Sequence, residues 1–176
     1  MRSTLPILAS VSLAACATAP MPGDPAVPVY AVAETVPVAT ANEDAADDPA
    51  IWRNAASPSD SLIVATDKKG GLGVYDLTGK QLQYLPVGRL NNVDVRTGFV
   101  LGGKQVDLAV ASNRDHNSLH LFAIDPRSGQ VSGIGEIATP FNEIYGLCLF
   151  KDRRGAIHAI ANDKDGTFLQ YRLDGS

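Results

Sequence analysis

Leu62-Ile63-Val64-Ala65-Thr66-Asp67-Lys68, Leu108-Ala109-Val110-Ala111-Ser112-Asn113-Arg114 and Ile157-His158-Ala159-Ile160-Ala161-Asn162-Asp163-Lys164 are three versions of one phrase. Each is an apolar run closed by a small polar residue, then Asp or Asn, then a cation. A second strand-like run follows each one: Leu72–Leu77, Leu119–Ile124 and Phe168–Leu173. The cations are 46 residues apart from Lys68 to Arg114 and 50 apart from Arg114 to Lys164. Short strands recurring every 40–50 residues or so are the signature of β-propeller blades. The expected fold class is therefore all-β, a β-propeller with almost no helix, since few windows carry a helical period. Equivalent positions of successive blades share one rim around the axis. Lys68, Arg114 and Lys164 should converge there, and three converging cations ask for a polyanion.

Working outward from these runs, the first blade should open at Asp44–Trp52, with a strand after Pro49. A polar turn over Asn54–Ser61 and an outer strand over Gln81–Val87 complete it. The second starts near Leu90, turns at Gly102-Gly103, and passes through Asp125-Pro126-Arg127-Ser128-Gly129 into an outer strand over Val131–Ala138. In that turn Pro presets φ and Gly permits φ > 0. The third starts at Asn142-Glu143-Ile144-Tyr145-Gly146 and stops at Asp174-Gly175-Ser176 with no outer strand behind it. Two blades and three strands of another leave a ring open and its strand edges bare. The expectation is a piece of about half of a longer protein, monomeric when full length. The alternative is a homo-oligomer that completes the ring.

The 176 residues suffice for one ordinary domain, and 45% hydrophobic with 19% charged content excludes a disordered chain. A net charge of −4 gives no reason to expect nucleic-acid binding. Residues 1–15, with Arg2 ahead of an apolar segment too short to span a bilayer, read as an export signal. Leu13-Ala14-Ala15-Cys16 resembles a bacterial lipobox, which implies cleavage before Cys16 and lipid attachment to its thiol. Ala17 after it favours the outer membrane. An ordinary secretory signal with an incidental Cys is the alternative. Either way an exported protein is expected, with membrane contact only through the lipid. Residues 16–42, rich in Ala, Pro and Val, read as a tether with room for one edge strand between Val29 and Val36, and residues 43–176 as the domain. Cys148, in Tyr145-Gly146-Leu147-Cys148-Leu149-Phe150, reads as a small core hydrophobe. No disulfide framework exists.

Each cation follows a polar or acidic residue near its blade's start: 20 residues separate Asp48 from Lys68, 22 separate Asn92 from Arg114, and 21 separate Glu143 from Lys164. The innermost strand of a blade begins on the rim where the second strand ends. Asp47, Asp48, Asn92, Glu143 and Tyr145 should thus lie beside the cations. Mixed carboxylates and cations are costly unless something bridges them, and phosphate groups with hard divalent ions would do so. No Cys/His cluster of zinc type is present, and His116, His120 and His158 occupy unrelated strand positions that favour structural roles. No Ser-His-Asp or Cys-His arrangement is visible, which suits direct attack by water.

Asp44-Ala45-Ala46-Asp47-Asp48-Pro49-Ala50-Ile51-Trp52 resembles the opening motif of the β-propeller phytases. Asp67-Lys68-Lys69-Gly70-Gly71-Leu72, Leu90-Asn91-Asn92-Val93-Asp94-Val95-Arg96, Ala111-Ser112-Asn113-Arg114 and Asn142-Glu143-Ile144-Tyr145-Gly146 resemble later motifs of that family, in order. The resemblance implies a six-bladed propeller that removes phosphates from phytate, or other inositol phosphates, using Ca²⁺ and a metal-activated water. It makes Lys68, Arg114, Tyr145 and Lys164 phosphate-holding catalytic residues, with Asp47 both catalytic and a metal ligand. Asp48 and Asp44 join the metal side. Asp165 stands where the family often has Glu, a shortened carboxylate on the substrate side. Most of the family's calcium carboxylates belong to later blades, so the 176-residue piece alone is expected to be inactive. A non-catalytic propeller that scaffolds a protein or captures a phosphorylated ligand is the other reading.

Overall fold

The computed structural model describes residues 23, 26–40 and 44–176. The proposed leader (residues 1–15) and Cys16 lie outside the described residues. The chain divides into Met1–Tyr30 and Ala31–Ser176. In the first unit the described residues are exposed and without regular structure. In the second, eleven strands among the described residues follow one another as antiparallel meanders in three sheets. The first sheet runs β1 (Ala46–Trp52), β2 (Leu62–Asp67), β3 (Gly71–Asp76) and β4 (Gln81–Leu85). The second runs β5 (Leu90–Leu101), β6 (Lys104–Asn113), β7 (Ser118–Ile124) and β8 (Val131–Ala138). The third is β9 (Ile144–Lys151), β10 (Ile157–Asp163) and β11 (Phe168–Arg172). Among the described residues helix is confined to one 3₁₀ turn, Pro58–Asp60. These are blades of a β-propeller, and their first strands β1, β5 and β9 neighbour one another in turn around the axis.

The reason the repeats read as near-continuous apolar runs is the middle sheet. β7 is buried at every position, and β6 from Asp107 to Asn113. Because side chains alternate along a strand, its two faces serve two cores. Ala109, Ala111, Phe122 and Ile124 pack with Val64, Val74, Trp52 and Val93 of the first two sheets. Leu108, Val110, Leu119 and Leu121 pack with Ile144, Leu147, Leu149 and Ile157 of the second and third. Trp52 Nε1 donates to Asp107 Oδ2 at 2.7 Å, joining β1 to β6 at the base of the first core. His120 and His158 are buried and stacked on Phe122 and Phe150, in keeping with structural roles.

The 125–129 turn forms as its composition requires. Asp125 Oδ1 accepts from the Arg127 and Ser128 N–H groups at 2.8 and 2.9 Å, and Gly129 takes φ +71°. Three expectations are corrected. β1 begins before Pro49 rather than after it, which is tolerated because β1 is the edge strand of its sheet. No strand forms between Val29 and Val36, although the Val36 N–H donates to the Gly79 carbonyl at 2.9 Å. Cys148 is exposed, not buried. Leu147 and Leu149 take the core-facing side of β9, so the period of two puts Cys148 on the opposite face, over which no described sheet lies.

Candidate functional site

The same irregularity recurs on the first strand of every sheet. Ala46 pairs with Asp67 and Pro49 with Ala65; Leu90 pairs with Asn113 and Val93 with Ala111; Ile144 pairs with Asp163 and Leu147 with Ala161. Each time three steps on the inner strand oppose two on its partner, which is a β-bulge. Asp47-Asp48 thus oppose Thr66, Asn91-Asn92 oppose Ser112, and Tyr145-Gly146 oppose Asn162. A bulge bends the strand and re-aims its side chains. Two residues beyond Thr66, Ser112 and Asn162 come Lys68, Arg114 and Lys164. Their backbone N–H groups donate to the carbonyls of Ala45, Arg89 and Glu143 at 2.7, 2.8 and 3.1 Å. One local geometry, three times repeated, therefore delivers the three cations to the same rim.

They meet there. Lys68, Arg114, Lys164 and Tyr145 line one cleft of about 300 Å³, together with Asp44, Lys69, Arg89 and Asn91. Lys68 Nζ lies 2.7 Å from Asp44 Oδ2 and 3.4 Å from Asp47 Oδ1. The Asp44 hydrogen bond raises the Lys68 ammonium above its usual range, and Lys68 in turn lowers Asp44. Glu143 Oε1 bridges Lys164 Nζ and Arg114 Nη2, the latter at 3.3 Å. Lys164 first, then Arg114, depresses the Glu143 carboxyl. Lys164 Nζ also sits 5.5 Å from the Tyr145 ring centroid, a cation–π contact. Behind the Lys68–Lys69 turn, buried Asp67 accepts the Tyr84 hydroxyl at 3.1 Å. Burial and then the charge of Asp67 push the Tyr84 phenol up to about 12, which keeps it a donor.

The bulge separates neighbours that look alike in sequence. Asp47 turns toward Lys68, whereas Asp48 turns between blades, where Oδ2 accepts from Asn92 Nδ2 at 3.0 Å and the Val93 N–H at 3.1 Å. Asn91 lines the cleft, while Asn92 gives its amide to Asp48. Asp165 does not line the cleft; its carboxylate accepts the Thr167 N–H at 2.8 Å in the β10–β11 turn. Sequence reasoning missed Lys69, Arg89 and Asn91. The doubled Asp47-Asp48 and Asn91-Asn92 were the available sign of an extra residue in each strand. Arg89 is preorganised: its N–H and Nε both bind Asp115, at 2.8 and 2.6 Å.

Carboxylate oxygens suit Ca²⁺, and Asp44, which lines the cleft, shares the Lys68 ammonium with Asp47, which does not line it. Their chemistry fits a hard cation, but their number makes no cage: among the described residues no three His, Cys, Asp or Glu side chains stand in a metal-holding group.

A family model described as Phytase matches residues 2–176. The chain is also similar to the 3-phytase of Bacillus subtilis (strain 168), 44% identical over 152 residues, which is 82% of this chain and 40% of that relative. The chain thus spans less than half the length of that relative. With a match along essentially its whole length, propeller sheets, and cations gathered from three blades, the chain belongs to the phytase family.

Proposed function

We propose that the protein carrying this chain hydrolyses the phosphate monoesters of phytate with Ca²⁺, and that this chain supplies the phosphate-holding wall of the site. The observation that carries the reading is the cleft in which Lys68, Arg114 and Lys164 of three successive blades face Tyr145. A phosphate monoester bears about two negative charges and three acceptor oxygens. Cations held at the first turn residue after three separate strands meet several such oxygens without first having to be gathered. Arg114 offers a planar fork and the lysines offer point charges. The ion pairs with Asp44, Asp47 and Glu143 hold those cations in place until phosphate displaces the carboxylates. Asp44 and Asp47, once displaced, are oxygen donors that the described residues can offer to Ca²⁺. The ion, when bound, would neutralise phosphate charge and acidify a bound water.

The test is phosphate release from phytate by the full-length protein, with Ca²⁺ and with excess chelator. Release that the chelator abolishes is expected. No release in saturating Ca²⁺ overturns the reading, and phytate binding without release would mark a non-catalytic capture module instead. Lys68→Ala, Arg114→Ala and Lys164→Ala should each weaken phytate binding about tenfold or more. Unchanged affinity in all three would remove the cleft from the site.

A further inference from the structure

We propose that Ser112 is a positioning residue: its hydroxyl fixes the bulge that carries Tyr145, and through it the phenol and the Lys164 ammonium in the cleft. The inference rests on the phosphate reading of that cleft.

A bulge breaks the ladder and leaves backbone groups of the inner strand without a cross-strand partner. Where these are buried, each must find another partner or cost stability. In the first two blades a buried hydroxyl supplies it. Thr66 Oγ1 accepts the Asp48 N–H at 3.0 Å and donates to the Asn91 carbonyl of the next blade at 2.5 Å. Ser112 Oγ accepts the Asn92 N–H at 3.0 Å and donates to the Tyr145 carbonyl of the next blade at 2.8 Å. Both hydroxyls are almost wholly buried, at 1% and 0% exposure. Each therefore ties the bulge of its own blade to the bulge of the following one. Asn91 Nδ2 also reaches the Tyr145 carbonyl, at 3.4 Å. In the third blade Asn162 takes the same register position. A Cβ on Gly146 would stand 2.4 Å from its Oδ1, so the amide fills the bulge and glycine makes room for it.

The consequence for the cleft is specific. The Tyr145 backbone is held from the second blade, while its ring is nearly half exposed and lies beneath Lys164. Losing the Ser112 hydroxyl strands the Asn92 N–H and one lone pair of the Tyr145 carbonyl in a dry contact. The bulge then relaxes, and the phenol it aims moves with it. Thr66 shows that a β-branched hydroxyl fits at this position of a blade, so threonine should replace serine at 112.

The experiment is calorimetric titration of inositol hexakisphosphate into the full chain carrying Ser112→Ala, Tyr145→Ala or both, with Ser112→Thr as rescue. Ser112→Ala should weaken binding about tenfold, and Ser112→Thr should stay within about twofold of the parent. In the Tyr145→Ala background Ser112→Ala should change affinity by less than about twofold, because the two act through one another. A lowered melting temperature with unchanged affinity would mark Ser112 as a stability residue and overturn the proposal. Additive losses would overturn it too, while leaving the phosphate reading intact. If Tyr145→Ala alone leaves binding unchanged, the proposal falls, while the Lys68, Arg114 and Lys164 variants still decide the phosphate reading. Should Ser112→Ala fail to fold, Ser112→Cys keeps the side-chain shape with a weak donor, and the same cycle decides.

Discussion

At the scale of single residues, the cleft is a set of occupied cations. Glu143 lies where a phosphate oxygen would bridge Arg114 and Lys164 of adjacent blades. Its carboxylate therefore competes with an anionic ligand. Glu143→Gln should tighten inositol hexakisphosphate binding by about twofold to fivefold in metal-free buffer, a modest gain because these ion pairs are solvent-exposed. Calorimetry on the two proteins checks it, and a weaker variant would make Glu143 a supporting rather than a competing group. The pH sign follows from the depressed Glu143 carboxyl. Its ion pairs contribute fully above the ordinary Glu pKa and fade as pH falls through the lower folded value. Any stability difference between parent and Glu143→Gln should therefore shrink below about pH 4. The types of these residues were readable in the chain, because a cation after each repeated Asp or Asn is a pattern. Which of Asp47 and Asp48 reaches the Lys68 ammonium, and which of Asn91 and Asn92 lines the cleft, was not. A one-residue bulge reverses the side to which a strand residue points, and no local preference announces it.

At the scale of elements, the strands appear where the apolar runs place them, and the closing turns where Asp, Pro and Gly require them. The errors fall on strands whose surroundings are unequal. The sequence places the strand after Pro49, yet β1 runs through it, because an edge strand tolerates a residue without an N–H. Cys148 reads as core because its neighbours are apolar, but among the described residues the core cluster packs on the other face of β9. β1 is tied to β6 by the Trp52 indole N–H, which donates to buried Asp107 while the Gly98 N–H takes the other carboxylate oxygen at 2.7 Å. Trp52→Phe leaves that carboxylate one donor short and should cost about 1–3 kcal/mol, read as a lower urea midpoint at unchanged slope. An unchanged midpoint would mean that water replaces the indole without penalty.

At the scale of the whole molecule, stability and site share one cause: sheets stacked face to face around an axis. Phe122, fully buried, is the largest side chain that β7 puts into the core between the first and second sheets. Phe122→Ala should cost about 3–5 kcal/mol, measured by chemical unfolding. If the sheets fold as one unit, fluorescence of Trp52 and circular dichroism should lose their signals together; separate transitions would show blades that unfold independently. Taken alone, the chain's sequence determined the repeat, the strands and the cation that ends each repeat, because periodicity and residue chemistry are properties of neighbours along the chain. Only the tertiary structure decided that Asn91 joins the cleft, that Asp48 leaves it, and that Ser112 reaches across to the next blade. Those outcomes depend on which backbone groups a bulge leaves unpaired and on what lies within hydrogen-bonding distance once two sheets are stacked, and residues far apart in sequence settle that together.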